Sequence, residues 1–393
     1  MKNWRRLGMK SEWTKKKLSD IADFNPRETI KKGAIAKKIP MDVLRPFYRD
    51  IPYYVEECFS GGAKFRNGDT IMARITPCLE NGKTAQVSIL NDGEVGFGST
   101  EYIVFRAKEG IANKDYLYHL VCSPEVREPA IKSMVGSSGR QRVQTDVIKN
   151  LEIDVPPLVE QEKIGSFLKA FDDKIALNDR INKNLLQQAV AVFNKFYDVS
   201  TNQHPFTTLI NVLGGGTPKT GNPEFWDGSI PFFTPKDVGT PYTFKTEKYI
   251  TELGLKHCNS RLYPTNTTFV TARGTVGKIS LAGTPMAMNQ SCYALTSEIV
   301  DPLLVYFYVL KAVNALKHKA SGAVFDAIVT RDFDGEIINI LSDADSEAAL
   351  SIIKPIMETI HNNSKENMRL SAVRDTLLPK LMSGEIDVSN VDL

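Results

Sequence analysis

Residues 164–196, IGSFLKAFDDKIALNDRINKNLLQQAVAVFNKF, place Ile164, Leu168, Phe171, Ile175, Asn178, Asn182, Leu185, Ala189, Val192 and Phe196 at alternating steps of four and three. Residues 349–381, ALSIIKPIMETIHNNSKENMRLSAVRDTLLPKL, do the same with Ala349, Ile353, Ile356, Ile360, Asn363, Asn367, Leu370, Arg374, Leu377 and Leu381. This spacing is the seam of a coiled coil. In both runs two asparagines break the seam at the same two steps, which fixes register at some cost in stability. Asn178, Asn182, Asn363 and Asn367 are therefore expected to set the register of two helices that pair antiparallel. Each helix should span about 35 residues, or about 50 Å at 1.5 Å per residue. Pro355 lies inside the second run and should start or kink that helix near Ile353.

The rest of the chain also falls into two parts. Trp13 to Ile21 aligns with Phe206 to Val212. Gly68-Asp-Thr-Ile-Met-Ala-Arg74 aligns with the segment ending in Ala272-Arg273, and Gly96 to Tyr102 aligns with Ala287 to Tyr293. Amphipathic helices are expected around Lys114–Cys122 and Asp301–Lys319, followed by small-residue loops at Gly136-Ser-Ser-Gly139 and Ala320-Ser-Gly322. A period of about 190 residues is a repeated domain rather than a solenoid unit. Short β-rich runs broken by Gly, Pro and Asn turns give each block a mixed α/β reading. The expected fold is α/β (α+β), with two pseudo-repeated globular domains and two long antiparallel coiled-coil helices. The expected boundaries are 1–155, 156–200, 201–341 and 342–393.

Composition narrows the function. The chain has 393 residues and a net charge of +3. Residues 1–150 carry 26 Lys and Arg against 18 Asp and Glu. Both helical blocks are mildly acidic. A basic globular block suits phosphate-bearing partners such as nucleic acid. Five cysteines without a CxxC pair argue for a reducing cytoplasm and against a disulfide framework or structural zinc. The N-terminal residues lack the apolar core of a secretory signal. The most apolar run, Leu303 to Leu310, is too short to cross a bilayer, so no membrane role is expected.

Catalytic motifs are missing. Gly214 to Gly221 lacks the order of a phosphate-binding loop, and Gly96-Phe-Gly98 lacks the third glycine of a dinucleotide fingerprint. The five histidines form no ligand-spaced cluster. Polar loops do carry the residue types that base edges require: Arg or Lys for guanine, Asn or Gln for adenine. In the first block these are Arg74, Lys83, Ser138, Arg140, Gln141 and Arg142. In the second they are Thr217, Lys219, Lys236, Arg273, Lys278, Asn289 and Gln290. Arg74 and Arg273 read as a matched pair.

The layout resembles the specificity subunit of type I restriction-modification systems. Three stretches carry the resemblance: Ile153-Asp-Val-Pro156-Pro157-Leu-Val-Glu160-Gln161, Gly215-Gly216-Thr217-Pro218 followed by Phe225-Trp226, and Leu377-Leu-Pro-Lys-Leu-Met-Ser-Gly384-Glu. The resemblance implies two target-recognition domains, each reading half of a split double-stranded DNA sequence. It implies helices that set the gap and dock two methyltransferase subunits, with restriction subunits joining that core. S-adenosylmethionine, ATP and magnesium would belong to those partners, leaving this chain non-catalytic and without a cofactor. The second repeat departs at Ser342-Asp-Ala-Asp345, where Pro-Pro-x-x-Glu-Gln is missing, although Ser and Asp still cap helices. Two other readings stay open on the residues alone: a nuclease or methyltransferase with an unrecognised site, and a coiled-coil scaffold.

Overall fold

Strand pairing joins each globular block to the start of its long helix. The computed structural model describes residues 13–137, 139–319 and 327–388. The chain divides into two compact units, one drawn from residues 1–177 and 367–393, the other from 178–366.

In the first unit the elements run β1 (Thr14–Lys17), α1 (Leu18–Ile21), β2 (Ala22–Phe24), β3 (Ile35–Ile39), β4 (Val55–Cys58), β5 (Ala63–Phe65), β6 (Thr70–Ala73), β7 (Thr84–Gln86), β8 (Gly96–Gly98) and β9 (Tyr102–Ala107). Then come α2 (Lys114–Cys122), α3 (Pro124–Lys132), α4 (Thr145–Lys149), β10 (Glu152–Val155) and α5 (Leu158–Tyr197), whose first half belongs here. Strands order as β2-β9-β6-β7 and β4-β3-β8-β5, with β1 paired to β10. One core of Ile103, Phe105, Tyr116, Leu120, Ile164, Leu168 and Leu381 lies under α2 and the helix pair. A second, around Phe65, Ile71 and Val104, lies between the sheets.

The second unit repeats this plan. It contains the second half of α5, then β11 (Gln203–Pro205), β12 (Asn211–Gly214), β13 (Trp226–Phe233), β14 (Tyr242–Thr243), β15 (Lys248–Ile250) and α6 (Glu252–Lys256). It continues through β16 (Thr268–Thr271), β17 (Ile279–Ala282), β18 (Ala287–Met288), β19 (Cys292–Thr296), α7 (Pro302–Lys319), α8 (Thr330–Asp334), β20 (Ile337–Asn339) and the first half of α9 (Asp343–Met382). Its sheets order as β12-β19-β16-β17-β14 and β15-β13-β18, with β11 paired to β20. Both units contain a parallel pair at the same place, β3 with β8 and β13 with β18, and the second unit adds another, β14 with β17. The β-rich runs and the α2 and α7 positions read from sequence match these elements. The small-residue loop at Ala320–Gly322 lies outside the described residues.

Hydrogen-bond register corrects the sequence alignment of the repeats. Ala73 opposes Tyr102 and Thr271 opposes Cys292. The next residues, Arg74 and Ala272, donate their N–H groups to Glu101 and Ser291. Gly68 and Asn266 both take positive φ, +92° and +69°, at the matching turn. Arg74 therefore corresponds to Ala272, and Arg273 to Ile75. Likewise Leu18 corresponds to Phe206, since each donates its N–H to the residue just before the strand that leads into the long helix, Leu151 or Glu336.

The two helices start differently. The Pro157 carbonyl accepts the N–H groups of Glu160 and Gln161, both at 3.0 Å. Buried Gln161 accepts the Asn113 N–H (3.0 Å) and donates to the carbonyls of Ile111 (3.1 Å) and Pro156 (2.9 Å). Asn113 in turn caps α2 through Asp115 N–H and Tyr116 N–H. A Cβ on Gly165 would stand 2.7 Å from the Tyr116 nitrogen, so only glycine lets α5 pass this close. In α9, Ser342 Oγ accepts the Asp345 N–H (3.1 Å) and donates to its carboxylate (2.7 Å), a hydroxyl cap as expected. The start expected near Ile353 is overturned: α9 runs from Asp343 through Pro355. Pro355 and Ser351, the residue that loses a bond to it, both sit on the exposed face, where water can take the bond's place.

All ten seam positions of each helix are buried or half-buried. In the first unit Asp172 accepts from Arg374 (2.5 Å) and the Ile175 carbonyl from Asn367 (3.4 Å). In the second, Asn178 donates to Glu366 (2.7 Å), Asn182 to Ser364 (3.3 Å) and Asn363 to Asn182 (2.8 Å). Within each unit the α9 partner number falls as the α5 number rises, so the halves run antiparallel. Gly384, at φ +68°, ends α9, with the N–H groups of Glu385 and Ile386 returning to the Lys380 carbonyl.

Two outcomes follow from this packing. Gln161→Leu strands three backbone groups and should cost about 1–3 kcal/mol in urea denaturation. Exposed Val159→Ala should stay within about 0.5 kcal/mol. Burial, then the charges of Arg374 and Arg49, hold the His119 imidazole well below its ordinary value of 6.5. The unfolded chain takes up that proton while the folded chain refuses it, so stability should fall as pH drops below about 6.5. His119→Gln should flatten that slope in urea midpoints measured across the window.

Candidate nucleic-acid interface

In the second unit the ends of β13, β16 and β18 meet. Ala272 and Arg273 donate their N–H groups to the Ser291 carbonyl, at 2.8 and 3.3 Å. Asn289 donates its N–H to the Phe233 carbonyl (3.0 Å) and accepts the Ser291 N–H (3.0 Å). Gly215 and Gly216 cross this junction closely: a Cβ on Gly215 would lie 2.2 Å from the Asn289 carbonyl oxygen. The Gly-Gly-Thr-Pro stretch is thus a close-approach device that delivers Thr217 to Gln290, whose side chains are hydrogen-bonded. Thr275 reaches the Pro235 carbonyl (3.4 Å), bringing the β16–β17 turn beside Lys236.

Thr217, Lys236, Arg273, Asn289 and Gln290 are therefore gathered at one end of the sheets. Lys278 leaves the same turn, its N–H on Thr271 Oγ1 (3.0 Å). Lys219 lies farther along the loop, its carbonyl accepting from Trp226 (3.3 Å). Arg273, Lys219 and Lys278 are exposed and make no ion pair among the described residues. Lys236 has only a solvent-exposed contact with Glu247 at 3.5 Å, worth about 0–1 kcal/mol.

The first unit is more tightly wired. Arg142 Nε and Nη2 grip the Glu101 carboxylate at 2.7 to 3.0 Å, and Arg74 Nε lies 3.4 Å from the same group. The hydrogen bond from Arg142 holds the Glu101 carboxyl below its usual range. Lys83 donates to the Met41 carbonyl (2.9 Å). The Gln141 carbonyl accepts the Thr76 N–H (3.0 Å), and Ile75 bridges to Arg142, so Arg74, Gln141 and Arg142 are neighbours. Arg140 is exposed and makes no ion pair among the described residues; Ser138 lies outside them. Arg74 and Arg142 are thus committed to one carboxylate, unlike Arg273.

The repeat locates residues that motif reading missed. The loop after β2 takes the place of the Gly215–Phe225 loop after β12, and it exposes Arg27, Lys31 and Lys32. Thr100 takes the place of Gln290. Arg27, Lys64, Arg74 and Thr100 line a cleft of about 600 Å³. The shared topology was the available signal, and it becomes readable only once the register is known.

No group of three or more His, Cys, Asp or Glu among the described residues could hold a metal ion. Burial pushes the Cys122 and Cys292 thiols up to about 12, away from the thiolate form a nucleophile needs. No described helix is long and apolar enough to cross a membrane.

Comparison with known proteins fits this architecture. The profile of the type I restriction modification DNA specificity domain matches residues 10–187 and again 207–371. The HindI specificity subunit of Haemophilus influenzae is 22 % identical over 411 residues, covering 82 % of this chain and 87 % of that protein. The putative MjaX specificity subunit of Methanocaldococcus jannaschii is 22 % identical over 431 residues, covering 96 % and 94 %. The EcoAI specificity subunit of Escherichia coli is 33 % identical over 180 residues, 44 % of this chain and 30 % of that protein. The match to the MjaIX subunit of M. jannaschii, at 28 % identity, spans 41 % of this chain and 39 % of that protein. Against these last two relatives the match thus spans well under half of their length. The S subunit of a type I restriction-modification system from M. genitalium has the same fold, with a TM-score of 0.57 at 14 % identity over 96 % of this chain and 97 % of that one. With the profile matching twice and spanning most of the sequence, the chain belongs to the type I restriction-modification DNA specificity family.

Proposed function

We propose that this chain is the DNA-reading subunit of a type I restriction-modification complex and performs no chemistry itself. One observation carries the reading. Corresponding strand orders occur twice, each copy carries exposed basic side chains on its loops, and each leads into a 40-residue helix. Each globular domain reads one half of a bipartite target. The helices set the gap and provide the docking surface for two methyltransferase subunits, and restriction subunits join that core. S-adenosylmethionine, ATP and magnesium act on those partners.

The physical division of labour runs as follows. Lys219, Lys278 and Arg140 are exposed and without ion partners among the described residues, which suits phosphate contacts that position the domain. Arg273, Asn289 and Gln290 are of the residue types that pair with base edges, although the side-chain oxygens of Asn289 and Gln290 would first have to leave Ser291 and Thr217. Arg74 and Arg142 are pre-oriented by Glu101, which lowers the entropy lost on binding. The asparagines at 178, 182, 363 and 367 hold the helix register.

Replacing residues 1–155 with those of another specificity subunit should change one half-site of the methylated sequence and leave the other intact. Loss or retention of both halves together would refute modular reading. Arg273→Ala should lose about 5- to 150-fold in affinity for the specific target, equivalent to about 1–3 kcal/mol, and relax one base position. Arg140→Ala should weaken binding to all sequences alike and reduce the slope of log K against log salt by about 0.9. Both are read by fluorescence anisotropy of the methyltransferase-bound complex at two salt concentrations. Turnover by the isolated chain would overturn the proposal.

A further inference from the structure

One place in the repeat is charged in one unit and apolar in the other. Helices α5 and α9 are both 40 residues long and share their seam at an offset of 185. Under that offset Asp172 corresponds to Met357, and Arg374 to Ala189. Counted from the helix-capping residues Asn113 and Asp301, His119 corresponds to Phe307. In the first unit Asp172 and Arg374 are only 4 % and 7 % exposed. Arg374 Nη1 donates to Asp172 Oδ1 at 2.5 Å and Nη2 to the Phe47 carbonyl at 3.2 Å. His119 Nε2 lies 3.6 Å from Asp172 Oδ2. In the second unit Ala189, Met357 and Phe307 share one apolar core, with Phe307 stacked on Phe193 at 5.2 Å.

A duplicated helix pair has a built-in competitor. Because α5 and α9 share a seam, each can also lie against its own counterpart from a second copy. With α5 on α5, Asp172 would face Ala189 of the other copy. With α9 on α9, Arg374 would face Met357. Each arrangement takes a buried charge from its partner on the other helix and faces it with an apolar side chain, which is unfavourable; the exposed Asp375 beside Arg374 (2.8 Å) and the Arg49 charge near Asp172 offset this only in part. A lone polar position in an apolar seam is a well-attested means of choosing partners.

We propose that the Asp172–Arg374 pair is a selector that confines α5 to α9 and excludes like-helix pairing with a second copy of this chain. It acts by mismatch rather than by net stabilisation, because a buried ion pair commonly adds little stability over well-packed apolar residues of similar volume. This inference stands apart from DNA reading and needs only the duplicated helices.

The full-length chain carrying D172M and R374A, each position taking the residue of the other unit, tests it. Wild type, this double variant and Gln161→Leu are refolded at equal concentration. Mass is then read by light scattering, and copies with two different tags are refolded together and tested for co-purification. Wild type should be monomeric. The double variant should show about a tenfold larger dimer fraction, with both tags recovered together. Gln161→Leu destabilises the first unit but leaves the selector intact, so it should remain monomeric. A double variant that stays monomeric overturns the proposal. So does one that fails to fold, since the same apolar seam packs well in the second unit. Equal dimerisation of wild type or of Gln161→Leu also overturns it.

Discussion

A 40-residue helix with an apolar stripe on one side cannot stand alone in water, and this constraint organises everything else. Most helical stability in proteins comes from packing such a face. Here α5 and α9 bury their stripes against each other and against the globular block of each unit. In the first unit Ile164 and Leu168 meet Leu378 and Leu381 in the core that also holds Tyr116 and Leu120. In the second, Ala189 and Phe193 meet Ile353, Met357 and Ile360 together with α7. The recognition domains are therefore continuous with the helix cores rather than hung from them.

Duplication supplies the plan, and divergence supplies the function. The sheets, the parallel strand pair and the helix seam recur. What varies is what the loops carry and how tightly they are held. Glu101 clamps Arg74 and Arg142 in the first unit, whereas Ser291 stands in its place in the second and Arg273 makes no ion pair among the described residues. On the proposed reading, such differences would let two domains of one fold read different bases. The same divergence reaches the seam, where a buried ion pair replaces an apolar contact.

Much of this architecture was legible in the residues. Period-3.5 spacing found both helices and every seam position, because a single buried stripe leaves a strong sequence signal. The capping of α9 was similarly local. The repeat alignment slipped by one to three residues, because loops absorb insertions and composition alone cannot fix strand register. That slip paired Arg74 with Arg273, although hydrogen bonding matches Arg74 to Ala272. Pro355 also misled: a missing donor on an exposed face costs less than the buried seam returns. The Glu101 clamp and the Arg27 loop were invisible, since both depend on contacts between residues distant in sequence.

The claim at the centre is that the paired helices set the distance between two half-sites. Inserting one seam-preserving heptad into both α5 and α9 lengthens each by about 10 Å, the rise of about three base pairs. Sequencing the methylated sites of the assembled complex measures the result directly. The gap should widen by about three base pairs while both half-sites keep their sequence. An unchanged gap with methylation intact would contradict the account.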